Sequence, residues 1–144
     1  MLDSLPAPFT HRFRVRYAEV DPQSVVFNSR YLEYADLLIT EHWRASGVHF
    51  AGDNALEFHV VRAEVDFRSP IRVDEWVEGR VWTERTGRTS VTTRIELWCR
   101  ASSADEDGPF SEHRASVLLV HVNVDLASGD PQPIPEAVKL RLTS

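Results

Sequence analysis

Chemistry in this chain gathers around one carboxylate. Asp21 stands between Tyr17 and Asn28, with Val25, Val26, Phe27 and Tyr31 close behind it. Asp21, Pro22, Gln23 and Ser24 are turn-forming residue types, and a long apolar stretch begins a few positions later. The segment reads as a strand, a turn and the start of a helix. The first N–H groups of a helix have no intrahelical acceptor, and they stabilise negative charge that develops near them. A carboxylate facing such groups can act as a base toward water or as a nucleophile. Each residue also has a plainer reading. Asp21 can close an Asx turn, Asn28 can cap the helix, and Tyr17 falls on the apolar face of the strand as a core residue.

A second polar constellation is the turn from Arg85 to Ser90. Arg88, Thr89 and Ser90 offer guanidinium, hydroxyl and backbone donors to phosphate groups, or are ordinary hairpin surface. The six histidines show no His-Glu-x-x-His spacing. His113 and His121 share a strand face in a period-two reading but stand too far apart to hold one ion, so no metal site is expected. Neither a Gly-x-Ser-x-Gly elbow nor a phosphate-binding glycine motif occurs. Cys99, the single cysteine, falls on an apolar strand face and reads as a small core hydrophobe.

The elements that must position these groups follow from periodicity. From Phe9 to Tyr17 apolar residues alternate with Arg12, Arg14 and Arg16, which predicts a strand with one wet face. A helix is predicted from Arg30 to Ser46, ended by Gly47 and so apolar that other structure must wrap it. Val61, Ala63, Val65 and Phe67 alternate with charged residues as a second strand, which Ser69 and Pro70 interrupt. A third is expected from Glu75 to Glu84 with a bulge or bend at Gly79, and a fourth holds Val91 to Cys99. A solvated tip spans Ala104 to Pro109. The last strand, His113 to Val124, is apolar on both faces, as in a sheet interior. A loop from Leu126 to Pro135 and a short helix complete the chain. Four consecutive hairpin-like strands favour an antiparallel sheet curved around the one helix, an α+β arrangement. Its open edges favour association of two copies.

The length of 144 residues suits one domain spanning 1–144. A net charge of −6 argues against a nucleic-acid partner. Fifteen of the sixteen basic residues are Arg, a residue that grips phosphate with two donors at once. The absence of a signal-like N-terminal run or a membrane-length apolar segment, together with one cysteine, leads to the expectation of a cytoplasmic protein with no membrane partner.

The order of elements, with Tyr17, Asp21, Val25, Val26, Phe27, Asn28, Tyr31 and Leu32 at the junction, resembles the hotdog-fold acyl-CoA thioesterases of the 4-hydroxybenzoyl-CoA thioesterase type. Val65, Asp66, Phe67, Ser69, Pro70 and Asp74 agree with that family, as do Gly87 with Ser90 and Ile134 to Glu136. The resemblance implies a five-stranded antiparallel sheet wrapped around one central helix. It implies a homodimer, often paired again into a homotetramer, with active sites at the dimer interface. It further implies hydrolysis of an acyl-CoA with no metal or prosthetic group. Asp21 falls on the family's catalytic carboxylate, Asn28 on the helix start whose backbone N–H polarises the carbonyl, and Tyr17 on a tyrosine near the carboxylate in one subgroup. That subgroup usually has His where this chain has Asn28, so no side-chain role of His carries over.

In that chemistry Val26, Phe27 and Tyr31 would wall the acyl group, and Arg88, Thr89 and Ser90 would meet the coenzyme A phosphates. Two alternatives remain open in the sequence. One is a hydratase or dehydratase of enoyl or hydroxyacyl thioesters, which generally adds a His near the central helix. The other is a binding protein for acyl thioesters that does no chemistry.

Overall fold

The computed structural model describes residues 6–49, 56–101 and 106–143. The expectations for the first five residues and for part of the Ala104–Pro109 tip lie outside these. The elements are β1 (Phe9–Arg14), a 3-10 turn (Tyr17–Glu19), α1 (Arg30–Ala45), β2 (Phe58–Phe67), β3 (Trp76–Thr86), β4 (Ser90–Cys99), β5 (Glu112–Asn123) and α2 (Glu136–Thr143). The five strands form one antiparallel sheet in the order β1-β3-β4-β5-β2. This is the hotdog arrangement that the resemblance implies.

Apolar residues at helical spacing put Tyr31, Tyr34, Ala35, Leu38, Ile39 and Trp43 on the buried face of α1. They meet the inward residues of the sheet, among them Val77, Val81, Ile95, Leu97, Ala115 and Val117. Gly47 ends the helix with a φ of +80°, the left-handed value that glycine adopts without a steric penalty. The wrapping is one-sided in the single chain, where Leu32 and Leu37 remain exposed.

Four findings differ from the expectation. β1 stops at Arg14, so Tyr17 leaves the strand, enters the 3-10 turn and is 87% exposed instead of core. Only β3, β4 and β5 follow one another as hairpins. β2 crosses to the far edge and pairs with β5, its central residues open on both faces, Val61 61% exposed among them.

Gly79 is neither bulge nor bend, because the ladder runs through it unbroken opposite His11 and Leu97. Its lack of a side chain admits the helix instead. A Cβ at Gly79 would lie 2.3 Å from Leu38 Cδ2, and Leu38 is fully buried. Gly79→Ala is therefore expected to destabilise the protein by about 1–3 kcal/mol through overpacking. Denaturant unfolding checks this, and an unchanged midpoint would contradict the close contact.

The fourth difference lies in β5. Leu97 pairs with Ala115 but Trp98 pairs with His113, which leaves Arg114 as the extra residue of a bulge. The bulge reverses the facing of the strand. His113 stacks flat on Trp98 at 4.7 Å, whereas His121 packs edge-on against Trp43 of α1. The two histidines thus take opposite faces.

Candidate active site

Glu19 organises the approach to the helix. Its carboxylate accepts the Arg16 backbone N–H at 2.8 Å, the Arg16 guanidinium at 3.0 Å and the Tyr34 hydroxyl at 3.0 Å. Its carbonyl accepts the N–H of Phe27 at 3.0 Å. Burial by itself pushes the Glu19 carboxyl up, but the Arg16 N–H, the Arg16 guanidinium and the Tyr34 hydroxyl outweigh it and hold it below its ordinary 4.5. Burial and then the adjacent Glu19 charge push the Tyr34 phenol well up, so it stays a donor. A depressed folded-state carboxyl contributes stability that is fully present above its ordinary value and lost as pH falls through the folded value. Glu19→Gln is therefore expected to flatten the acid limb of a stability–pH curve below about pH 4.5. A limb of unchanged steepness would contradict this role for Glu19.

Between Glu19 and Phe27 the chain makes a small closed loop with Asp21 at its entrance. Val20 bridges Val26, the Asp21 N–H donates to the Val25 carbonyl at 2.9 Å, and Val26 donates to Ile71 at 2.8 Å. Ser24 takes a φ of +64° to turn the chain back. Asp21 Oδ1 accepts from the N–H of Gln23 at 2.8 Å and of Val25 at 3.4 Å. The Asx turn is real. Oδ2 accepts nothing from the described residues, so half the carboxylate is left for chemistry.

The helix start is likewise open. Ser29 stands at the N-cap position without a side-chain cap. Asn28 makes no side-chain hydrogen bond to a described residue, so the capping role is not realised. The N–H groups of Arg30 and Tyr31 turn back to Phe27 and Asn28, at 2.9 and 3.4 Å. Those of Asn28 and Ser29 reach no described acceptor. Beside them lies a cleft of about 240 Å³ lined by Val25, Val26, Asn28 and Tyr31 and by Phe67 to Pro70. Tyr31 meets Phe67 edge-on at 4.8 Å.

Sequence reasoning missed what holds that far wall. Arg114, 2% exposed, donates to the Pro70 carbonyl at 2.7 Å and pairs with Glu75 at 3.0 Å and Glu112 at 2.9 Å. Its own carbonyl accepts the N–H groups of Arg68 and Ser69. The one available signal was an arginine at the start of a strand that is mostly apolar from Val117 onward. Cys99 is buried, and burial pushes its thiol up to about 12, which removes it as a nucleophile at neutral pH.

The structure brings together Val26, Asn28 and Tyr31. Asp21 reaches them through its bond to Val25 but is not itself part of the cleft wall in the single chain. Phe27 is 53% exposed, and neither it nor Tyr17 lines the cleft. Arg88, Thr89 and Ser90 lie at the other end of the sheet. Ser90 pairs with Val122, whereas Phe67 pairs with Ala115, seven positions away along β5. That separation is roughly 23 Å at ~3.3 Å per residue. Backbone carbonyls of Arg88 and Thr89 accept from Ile134 and Asn123, and the Arg88 guanidinium pairs with no described residue. No described group of three or more His, Cys, Asp or Glu is placed to hold a metal ion, and no described helix is long and apolar enough to cross a membrane.

One helix wrapped by a five-stranded antiparallel sheet, with a cleft at the open helix start, defines a hotdog domain. Residues 23–103 match the thioesterase superfamily, and the chain belongs to that family. Thioester hydrolysis is the general activity that membership supports. The matched span includes Asn28 and begins just after Asp21.

Solved structures agree. A thioesterase-superfamily protein of Jannaschia sp. CCS1 superposes with a TM-score of 0.81 at 19% identity, over 96% of this chain and 83% of that one. A Thermus thermophilus thioesterase in complex with coenzyme A and zinc gives 0.75 at 27% identity, over 96% and 100%. A 1,4-dihydroxy-2-naphthoyl-CoA thioesterase from Synechocystis gives 0.78 at 17% identity, over 93% and 94%.

Proposed function

We propose that this chain hydrolyses acyl-CoA thioesters to a free acid and coenzyme A, as a homodimer of the 4-hydroxybenzoyl-CoA thioesterase type. The observation that carries the reading is that the N–H groups of Asn28 and Ser29 reach no described acceptor, while Asn28 lines the cleft and Asp21, bonded to the cleft residue Val25, keeps one carboxylate oxygen free of described donors. The acyl carbonyl oxygen would sit against those N–H groups and develop charge there. Asp21 either takes a proton from an attacking water or attacks the carbonyl carbon itself, giving an anhydride that water then opens. In both routes the C–S bond breaks and coenzyme A leaves as its thiol. Neither needs a metal or prosthetic group.

Two copies are needed because one chain leaves the parts dispersed. Pairing the open edge β2 with a second β2, antiparallel about a twofold axis, sets the Phe67 end of one strand beside the Phe58 end of the other. The helix start of one copy then approaches the Arg88 loop of the other, whose guanidinium, with Thr89 and Ser90, would hold the coenzyme A phosphates. Val60, Val61 and Phe67, exposed in the single chain, lie on the strand that this pairing would bring to the dimer interface. The Thermus thermophilus relative, bound to coenzyme A, is consistent with that carrier. Association of two such dimers through a second surface, giving a tetramer, extends the same proposal.

Thiol release from a panel of acyl-CoAs, measured in metal-free buffer beside the sedimentation mass, tests the reading. It expects a dimer or tetramer that frees thiol, and a Val61→Asp variant that is monomeric and at least ~100-fold slower, having lost a composed site. Conversion of crotonyl-CoA without thiol release would indicate a hydratase. Ligand-induced stabilisation with no turnover at all would indicate a binding protein.

A further inference from the structure

A reacting carboxylate is only as effective as the structure that holds it in place, and Asp21 is carried on a loop anchored from inside the protein. The loop begins at Glu19, two residues before Asp21, and closes where the Glu19 carbonyl accepts the Phe27 N–H at 3.0 Å, one residue before Asn28. Glu19 thus sets Asp21 on one arm of the loop against the helix start on the other. Its side chain fixes it there. Glu19 is 8% exposed, and Oε1 accepts both the Arg16 backbone N–H at 2.8 Å and the Tyr34 hydroxyl at 3.0 Å. Tyr34 belongs to α1 and is buried, its ring 4.7 Å from that of Phe13 in β1 and 6.3 Å from that of the cleft residue Tyr31. Another tie from α1, Arg30 to the Ala18 carbonyl at 3.4 Å, is exposed. Glu19 is ionised at neutral pH, and a bond donated to an ionised acceptor away from water is the stronger kind.

We propose that Tyr34 and Glu19 are positioning residues for the hydrolysis: their buried hydrogen bond fastens the Asp21 loop to α1 and so aims the carboxylate at the bound thioester. The proposal rests on the hydrolysis reading with Asp21 as base or nucleophile. Neither residue touches substrate; both act through Asp21. Misplacement of a reacting group by about 1 Å can cost roughly 100-fold in rate. Without the Tyr34 hydroxyl the loop keeps the exposed Arg30 bond, its backbone contacts and its Asx turn, none of which ties Glu19 itself to the helix. The walls of the cleft, Val25, Val26, Tyr31 and Phe67 to Pro70, do not depend on that hydroxyl. Loss of the bond therefore falls on turnover and spares binding.

Tyr34→Phe tests this, since it keeps the ring and removes only the hydroxyl. It should lower kcat for thiol release by ~10-fold or more and leave KM within about twofold. Glu19→Ala should behave alike. Glu19→Gln, whose side-chain oxygen still accepts both donors, should bring kcat back to within about threefold of the wild type. In an Asp21→Ala protein, adding Tyr34→Phe should cost less than about twofold more, because the group it acts through is already gone. Amide exchange reads the same anchor without turnover: Tyr34→Phe should speed exchange at Phe27 by about 10-fold and leave β4 and β5 unchanged. Native kcat in Tyr34→Phe, a rise in KM alone, or an undiminished loss in the Asp21→Ala background would overturn the proposal. So would an unmoved Phe27 amide, or faster exchange throughout the sheet, which marks a purely structural loss. Near-native turnover of Asp21→Ala itself is the separate failure, that of the mechanism beneath the proposal, and overturns both. A protein that frees no thiol, yet shows the faster Phe27 exchange alone, keeps the anchor and loses the hydrolysis.

Discussion

Replacing Asp21 with Ala is expected to lower kcat for thiol release by two orders of magnitude or more, with the fold retained. The magnitude follows from the contribution of a positioned base, about 100- to 10,000-fold. Retention of the fold follows from the local structure. Asp21 Oδ1 accepts two N–H groups within its own turn, from Gln23 and Val25, and such bonds are worth roughly 0.5–1.5 kcal/mol each. The surrounding backbone bonds from Asp21 to Val25 and from Val26 to Ile71 do not involve the side chain. Asp21→Asn separates the two roles. It keeps an oxygen for the turn and removes the charge, so it should unfold like the wild type and turn over like the Ala variant. Near-native turnover in both variants would remove Asp21 from the mechanism, leaving only its Asx turn.

The largest effect on stability is expected at Arg114. Its guanidinium holds two carboxylates and the carbonyls of Pro70 and Arg100 from a site that is 2% exposed. Removing one partner of a buried ion pair typically costs about 3–5 kcal/mol. Glu75 and Glu112 are themselves partly exposed, so Arg114→Met should fall near the lower end, about 3 kcal/mol. Arg114→Lys should recover part of it, since an ammonium restores the charge without the fork. The same change frees Pro70 and the wall of the cleft, so KM should rise with the loss of stability. Denaturant unfolding decides between this and a passive role. A shift of less than about 0.5 kcal/mol for Arg114→Met would mean that the network contributes little.

Periodicity made the helix, its end at Gly47 and the approximate spans of β3 and β4 legible before any coordinates. It failed where the backbone departs from a strict period. Tyr17 continued the alternation of β1 on paper, but the carboxylate of Glu19 folds back onto Arg16 and starts a 3-10 turn there. His113 and His121 shared a face on paper because the bulge at Arg114 leaves no mark in a period-two count. Gly79 read as a local irregularity, although its reason is the fully buried Leu38 packed across from it. Such a contact joins residues 41 positions apart and has no local signature.

The site was legible where residues are neighbours in sequence and illegible where they are not. Val26, Asn28 and Tyr31 do share one cleft. Phe67 to Pro70 complete it only because β2 crosses to the edge beside β5 and Arg114 pulls Pro70 in. Arg88, Thr89 and Ser90 stand at the far end of the sheet, so any joint role with Asp21 requires a second copy. The exposed apolar residues of β2 point the same way, since alternation along that strand anticipates a covered face that one chain does not supply.

The most direct measurement is a crystal structure with a non-hydrolysable acyl-CoA thioether ketone. The account predicts the ketone oxygen within hydrogen-bond reach, about 2.7–3.1 Å, of the N–H groups at Asn28 or Ser29. Asp21 should stand on the opposite side of the carbonyl carbon, in contact with it or with one water. A ligand whose carbonyl lies away from those amides, or is shielded from Asp21 by intervening chain, would contradict it.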